Sequence, residues 1–168
     1  LSLISLAILP DEGRRAALAL AARVRGRGGK VAFDGNYRPR LWDQPATAAY
    51  WRDAMIAHAD IGLPTLEDET ALSDERTARA VAAHWQGLGC AEVVVKMGAA
   101  GCLLPGGATI PPPVTLAPVD TSGAGDAFNA GYIDARMQGN EPQEAAASGH
   151  ALAGWTIMRP GACPAVAS

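Results

Sequence analysis

Asp120-Thr121-Ser122-Gly123-Ala124-Gly125-Asp126 is the stretch on which the reading turns. Between Met97 and Ile133 its two aspartates are the only ionisable carboxylates or cations, in a window otherwise apolar, glycine-rich or hydroxylated. Gly123, Ala124 and Gly125 leave the backbone N–H groups unobstructed, and the helix that begins here adds partial positive charge at its start. Asp126 then stands in the first turn. Such a stretch can hold an anion beside a carboxylate base, and it belongs at the end of a loop that feeds a helix.

Working outward, the Asp126 helix is expected to run to about Gln138 and to stop at Gly139-Asn140. Ala127, Ala130 and Gly131 keep one face slim. A last helix starts near Pro142, carries Ala146, Ala147, Ala151, Leu152 and Trp155, and ends before Arg159-Pro160-Gly161. Two such helices in succession predict close mutual packing. Upstream, Ala91-Glu92-Val93-Val94-Val95-Lys96 reads as a β-branched strand leading to the turn Met97-Gly98-Ala99-Ala100-Gly101. Cys102 to Leu104 and Thr109 to Leu116 read as antiparallel strands, the second irregular because of Pro111, Pro112 and Pro113.

The first half alternates strand and helix. Leu1 to Leu9 reads as a buried strand, entered without a preceding loop and without an initiating Met, so a segment upstream is expected. A sheet beginning there would present an unpaired apolar edge. Pro10 to Val24 reads as a helix stopped by Gly26, Gly28 and Gly29, and Lys30 to Asp34 as a strand. Pro45 to His58 is a predicted helix and Ala59 to Leu63 a strand. Short helices follow from Thr65, read as an N-cap, and from Ser73-Asp74-Glu75 through Leu88. Strand, helix, strand with short connections implies an α/β protein with a parallel sheet covered by helices. At 168 residues, one domain spanning 1–168 is expected.

Hydrophobic content of 49%, charge of 18% and a net charge of −3 are globular values with no basic cluster. They exclude a nucleic-acid or polybasic membrane footprint. Cys90, Cys102 and Cys163 have no metal spacing and read as reduced thiols of a cytoplasmic protein. His58, His84 and His150 lie on helices without ligand spacing. Gly26 to Lys30 lacks the phosphate-loop spacing, and Gly123-Ala124-Gly125 follows too poor a strand for a dinucleotide fingerprint. Phosphoryl transfer fits better: a helix start neutralises the donor phosphate, and a carboxylate takes the acceptor's proton.

Asn36-Tyr37-Arg38-Pro39-Arg40-Leu41-Trp42 lies beyond the carboxyl end of a strand, where open α/β sheets bind ligands. Arg38 and Arg40 suit a carboxylate or phosphate there, and equally a solvated loop with surface ion pairs. Glu67-Asp68-Glu69 suits either metal chemistry or the dipole of a helix start. Lys96 suits either a nucleotide phosphate or a strand-end surface position.

Asp120 to Tyr132 closely resembles the second signature of the ribokinase-like (PfkB) carbohydrate kinases, and Val95 to Gly101 resembles the ATP-contacting strand and turn of that family. Phe33 to Trp42, Leu63 to Glu69 and Arg159-Pro160-Gly161-Ala162 resemble its 2-keto-3-deoxygluconate kinases. The resemblance covers the whole chain but only the C-terminal half of the family pattern. It implies a ribokinase-like three-layer α/β fold with a mostly parallel central sheet, here without the N-terminal half and β-lid. It further implies ATP-dependent phosphorylation of the terminal hydroxyl of a sugar acid. By position, Asp126 would be the catalytic base and Gly123, Ala124 and Gly125 the anion hole. Lys96, Gly98 and Gly101 would line the ATP site, and Asn36 and Arg38 would contact the sugar acid. Asp68 stands where the family has a magnesium-linked Glu, and Asp120 near a monovalent-cation site. The partners implied are ATP and a small sugar acid, with neither nucleic acid nor membrane, while homo-oligomerisation of a full-length protein stays open. Another PfkB sugar or nucleoside kinase and a non-catalytic nucleotide-binding fragment are the competing readings.

Overall fold

Ala32–Phe33 (β1), Ile61–Gly62 (β2) and Glu92–Val93 (β3) form a parallel sheet in that order in a computed structural model, which describes residues 1–165. Register pairs Ala32 with Ile61 and Phe33 with Gly62, then Ile61 with Glu92 and Gly62 with Val93. The chain divides into two compact units, the first ending at Met97 and the second beginning at Gly98. This sheet belongs to the first.

Helices join and cover its strands: Leu3–Ala7 (α1), Asp11–Gly26 (α2), Pro45–Ile56 (α3), Leu66–Leu72 (α4) and Ala78–Gly87 (α5). Parallel strands need such crossovers, and burial on both faces explains why Phe33, Val93, Val94 and Leu63 are shielded from solvent. Trp85 of α5 stacks on Phe33 at 5.7 Å between ring centroids. Arg14 of α2 lies over the rings of Trp42 (4.8 Å) and Trp51 (5.7 Å), tying the segment after β1 to α3.

Several elements differ from the sequence expectation. Leu1 to Leu9 is not a strand: only Ser2 bridges Asp34 in parallel, and the chain then turns into α1. Leu3 and Leu6 are the buried pair, a helical spacing of three, while Ile8 is exposed. The expected long apolar edge therefore does not form. Strand 91–96 is interrupted at Val94, giving β3 and a separate Val95–Lys96 (β4), though Val94 still donates to Gly62 and Lys96 to Pro64. α5 begins at Ala78, where the Thr77 hydroxyl accepts from the Ala80 amide at 3.2 Å. Ser73-Asp74-Glu75 lies before it in a loop, with Arg76 donating to the Thr70 and Ser73 carbonyls. Thr65 does precede α4, but its side chain makes no capping bond.

In the second unit Cys102–Leu103 (β5) and Thr109–Ile110 (β6) pair antiparallel. The second strand stops at Ile110 because Pro111 has no N–H to continue the ladder. Ala124–Met137 (α6) and Pro142–Ile157 (α7) follow, as expected. Reciprocal bonds of Glu141 and Glu144 with the first-turn backbone cap α7. A Cβ on Gly131 would sit 2.7 Å from the Ser148 carbonyl oxygen, and one on Gly149 would sit 2.9 Å from the Phe128 ring. The slim face is thus used for near-contact of helix backbones.

Candidate active site

In the first unit the carboxyl ends of the strands gather charge. Asp34 directly follows β1, its amide donating to Leu1 and its carbonyl accepting from Leu3. Its Oδ1 accepts from the Asn36 amide at 3.2 Å and from Lys96 Nζ at 3.2 Å, both charged side chains being 9% exposed. Lys96 is thus no surface lysine. It forms a buried ion pair with a strand-end acid distant in sequence, a partnership that spacing could not reveal.

Arg38 sits in extended backbone before a 3-10 turn at Pro39–Leu41, with its side chain half exposed. Its Nη1 donates to the Tyr37 carbonyl at 2.7 Å and to Asp68 Oδ1 at 3.0 Å. The opposite edge of the guanidinium, Nε and Nη2, has no hydrogen-bond partner among the described residues. Asn36 carries a buried Oδ1 that likewise accepts no hydrogen bond. Arg38 thus keeps an open cationic edge, while two residues earlier, across the buried Tyr37, the Asn36 oxygen is buried with no donor. Arg40 lies exposed in the 3-10 turn.

The acids of α4 divide their work. Asp68 turns to Arg38, and burial pushes its carboxyl above the ordinary range, with Arg38 and Lys96 opposing that shift and Asp34 adding to it. Glu69 turns the other way and meets Arg52 Nη1 at 2.8 Å, both side chains being 2% exposed. Burial raises the Glu69 carboxyl too, against the pull of Arg52. Arg52 also reaches Asp53 at 2.8 Å and His84 at 3.2 Å. A Cβ on Gly35 would lie 2.7 Å from Glu69 Oε1, so this buried pair abuts the backbone between Asp34 and Asn36. The one signal for it in sequence was an arginine among Trp51, Met55 and Ile56 on an otherwise apolar face of α3.

Among the described residues no group of three or more His, Cys, Asp or Glu side chains converges as a metal site. Asp68, the expected ligand, gives its Oδ1 to Arg38 and faces a second cation. This donor set does not fit a protein-held metal. Magnesium that keeps one or two carboxylates at most takes its remaining oxygens from phosphates and water.

In the second unit Gly123 is the N-cap of α6 with φ +74°, a left-handed conformation. A Cβ there would strike the Ala162 carbonyl oxygen and lie 2.9 Å from Ala162 Cα. Asp120 fixes the approach: Oδ1 accepts from the Ser122 amide at 2.8 Å and Oδ2 from the Gly161 amide at 2.9 Å. Those two backbone bonds hold its carboxyl below the usual range. A monovalent cation at Asp120 would have to share oxygens already bound to amides. The Ala124 amide donates to Thr121 at 3.2 Å, whereas those of Gly125 and Asp126 meet no carbonyl among the described residues. Asp126 is exposed in the first turn. Gly98 (φ +57°) and Gly101 (φ +91°) form the turn that opens this unit, and a Cβ on Gly101 would collide with the Ile110 carbonyl.

The sequence matches the profile described as pfkB family carbohydrate kinase over residues 1–167. The chain belongs to the PfkB family. Within it, the 2-dehydro-3-deoxygluconokinase of Dickeya dadantii (strain 3937) is 42% identical over 168 residues, covering 96% of this chain and 54% of that protein. The Escherichia coli (strain K12) protein of the same name is 40% identical with the same coverage. Aminoimidazole riboside kinase from Salmonella enterica, solved with aminoimidazole riboside and an ATP analog, superposes with a TM-score of 0.86 at 29% identity. That match covers 96% of this chain and 56% of the Salmonella one. This PfkB chain therefore has the ribokinase-like α/β fold and spans about half the length of the relatives it matches. No helix among the described residues is long and apolar enough to cross a membrane.

Proposed function

We propose that the chain serves ATP-dependent phosphorylation of a sugar acid, 2-keto-3-deoxygluconate becoming its 6-phosphate. The observation that carries this reading is Arg38: a half-exposed guanidinium with an open Nε/Nη2 edge, close in sequence to the unmet Oδ1 of Asn36. A substrate carboxylate takes that edge and a substrate hydroxyl donates to Asn36. A neutral sugar needs no such cation. The Dickeya and Escherichia relatives support the same substrate.

Asp126 accepts the proton of the attacking terminal hydroxyl as the bond to phosphorus forms. The amides at Gly123 to Gly125, aided by the α6 dipole, hold the transferring phosphoryl oxygens; Gly125 has an amide free for this, while that of Ala124 is shared with Thr121. Lys96, Gly98 and Gly101 belong to the nucleotide site in this reading. ATP would supply the phosphoryl group, its β–γ P–O bond breaking as the new O–P bond forms and ADP leaving, and magnesium would be carried on the phosphates. Asp120 holds the α6 entrance in register, with or without a monovalent cation nearby. Sequence 1–168 acts as the nucleotide and base-bearing part of one kinase domain, working in the cytoplasm.

The test is coupled-assay turnover of 2-keto-3-deoxygluconate by the wild type and Asp126→Asn. Loss of a positioned base is expected to lower kcat by roughly 10²- to 10⁴-fold. Undiminished turnover in the variant removes Asp126 from the chemistry. Arg38→Ala should raise KM for the sugar acid far more than for ATP, and equal losses would instead favour another sugar or nucleoside kinase.

A further inference from the structure

We propose that Asp68 serves Arg38 rather than a metal: it is the counter-charge that sets how strongly the guanidinium attracts an anionic substrate. The inference rests on the sugar-acid reading of Arg38. Four charges meet beyond the parallel strands, Arg38 and Lys96 against Asp34 and Asp68, and they occur as the pairs Lys96–Asp34 at 3.2 Å and Arg38–Asp68 at 3.0 Å. A carboxylate at the Nε/Nη2 edge of Arg38 adds a negative charge beside Asp68, the acid that shares that guanidinium with the newcomer.

Orientation of Arg38 does not depend on Asp68 alone. Nη1 also donates to the Tyr37 carbonyl at 2.7 Å, and Pro39 stiffens the backbone that follows. Removing the charge of Asp68 therefore leaves the arginine directed while ending the competition. The Asp68 side chain is 18% exposed, so the repulsion it exerts is only partly screened. The residue thus limits affinity for the sugar acid, which lets substrate and product leave, and it disfavours ligands of higher negative charge at this edge.

Asp68→Asn, assayed in the intact protein with 2-keto-3-deoxygluconate, should lower the sugar-acid KM by roughly three- to tenfold, the scale of one partly screened charge. The gain should shrink as salt rises, and the magnesium concentration for half-activation and the KM for ATP should stay within about twofold. Asp68→Glu, which keeps the charge, should show no such fall in the sugar-acid KM and so separates the charge effect from a packing artefact in the amide variant. An unchanged or raised sugar-acid KM in a folded Asp68→Asn protein overturns the proposal, as does a raised magnesium requirement, which would return Asp68 to the metal. Arg38→Ala separates the two layers. If it raises the sugar-acid KM while Asp68→Asn does nothing, only this inference falls; if it has no effect, the sugar-acid reading falls with it.

Discussion

Replacing Gly123 by alanine is the most searching perturbation of the α6 entrance. At φ +74° an L-residue incurs the left-handed penalty, about 1–2 kcal/mol. The added methyl also meets backbone, not a yielding side chain: Ala162 Cα would be 2.9 Å away, and its carbonyl oxygen nearer still. Relieving an overpacked contact of that kind costs about 1–3 kcal/mol. The expected loss is therefore about 2–5 kcal/mol, read as a shift of the urea midpoint at constant slope. Gly139→Ala is the matched control, with φ +88° and nothing within 4 Å of the new Cβ, so only the conformational part remains. The difference between the two variants isolates the close approach to Ala162. If Gly123→Ala costs no more than Gly139→Ala, the close packing of the helix start against the segment after α7 is not as described.

Other outcomes follow from the same geometry. Lys96→Met removes the 3.2 Å cation of Asp34 from a site where both side chains are 9% exposed, and should lower the denaturant midpoint; an unchanged midpoint would refute a structural role for the pair. His150 has its pKa lowered, chiefly by burial, with its bond to the Ile110 carbonyl opposing. The unfolded state then binds the proton more readily, so His150 contributes stability above the ordinary value of 6.5 that is lost as pH falls through its folded pKa. Denaturation midpoints measured from pH 7.5 downward should fall more steeply for the wild type than for His150→Leu; parallel profiles would refute this. Asp120→Ala removes both amide acceptors at once, and hydrogen exchange at Ser122 and Gly161 should quicken together. Exchange that quickens at one amide alone would deny the shared anchor.

Much of the second unit was legible because its signals are local. Glycines flank an acid at one helix start, Gly139-Asn140 ends that helix, and small residues mark the face along which α6 and α7 meet. The first unit was less legible because its site is assembled from afar. Asp34 was visible as a strand-end acid, and Lys96 as a strand-end lysine, but nothing in either neighbourhood announces the other. Glu67-Asp68-Glu69 looks like one dipole-favoured run, yet α4 sends Asp68 to Arg38 and Glu69 into the core against Arg52. Leu1 to Leu9 imitates a strand because Leu and Ser alternate in its first residues, while the Leu3–Leu6 spacing decides for a helical turn.

Gly131 beside the Ser148 carbonyl, and Gly149 beside the Phe128 carbonyl and ring, bring the backbones of α6 and α7 together at two points. Two helices separated by side chains can absorb a substitution by changing rotamers; two backbones in near-contact cannot. A methyl group at position 149 would act as a wedge, and the tilt it forces would be carried along α6 to Asp126 in the first turn. Under the kinase reading proposed above, a variant there should lose turnover as well as stability, although position 149 lies on the other helix from Asp126.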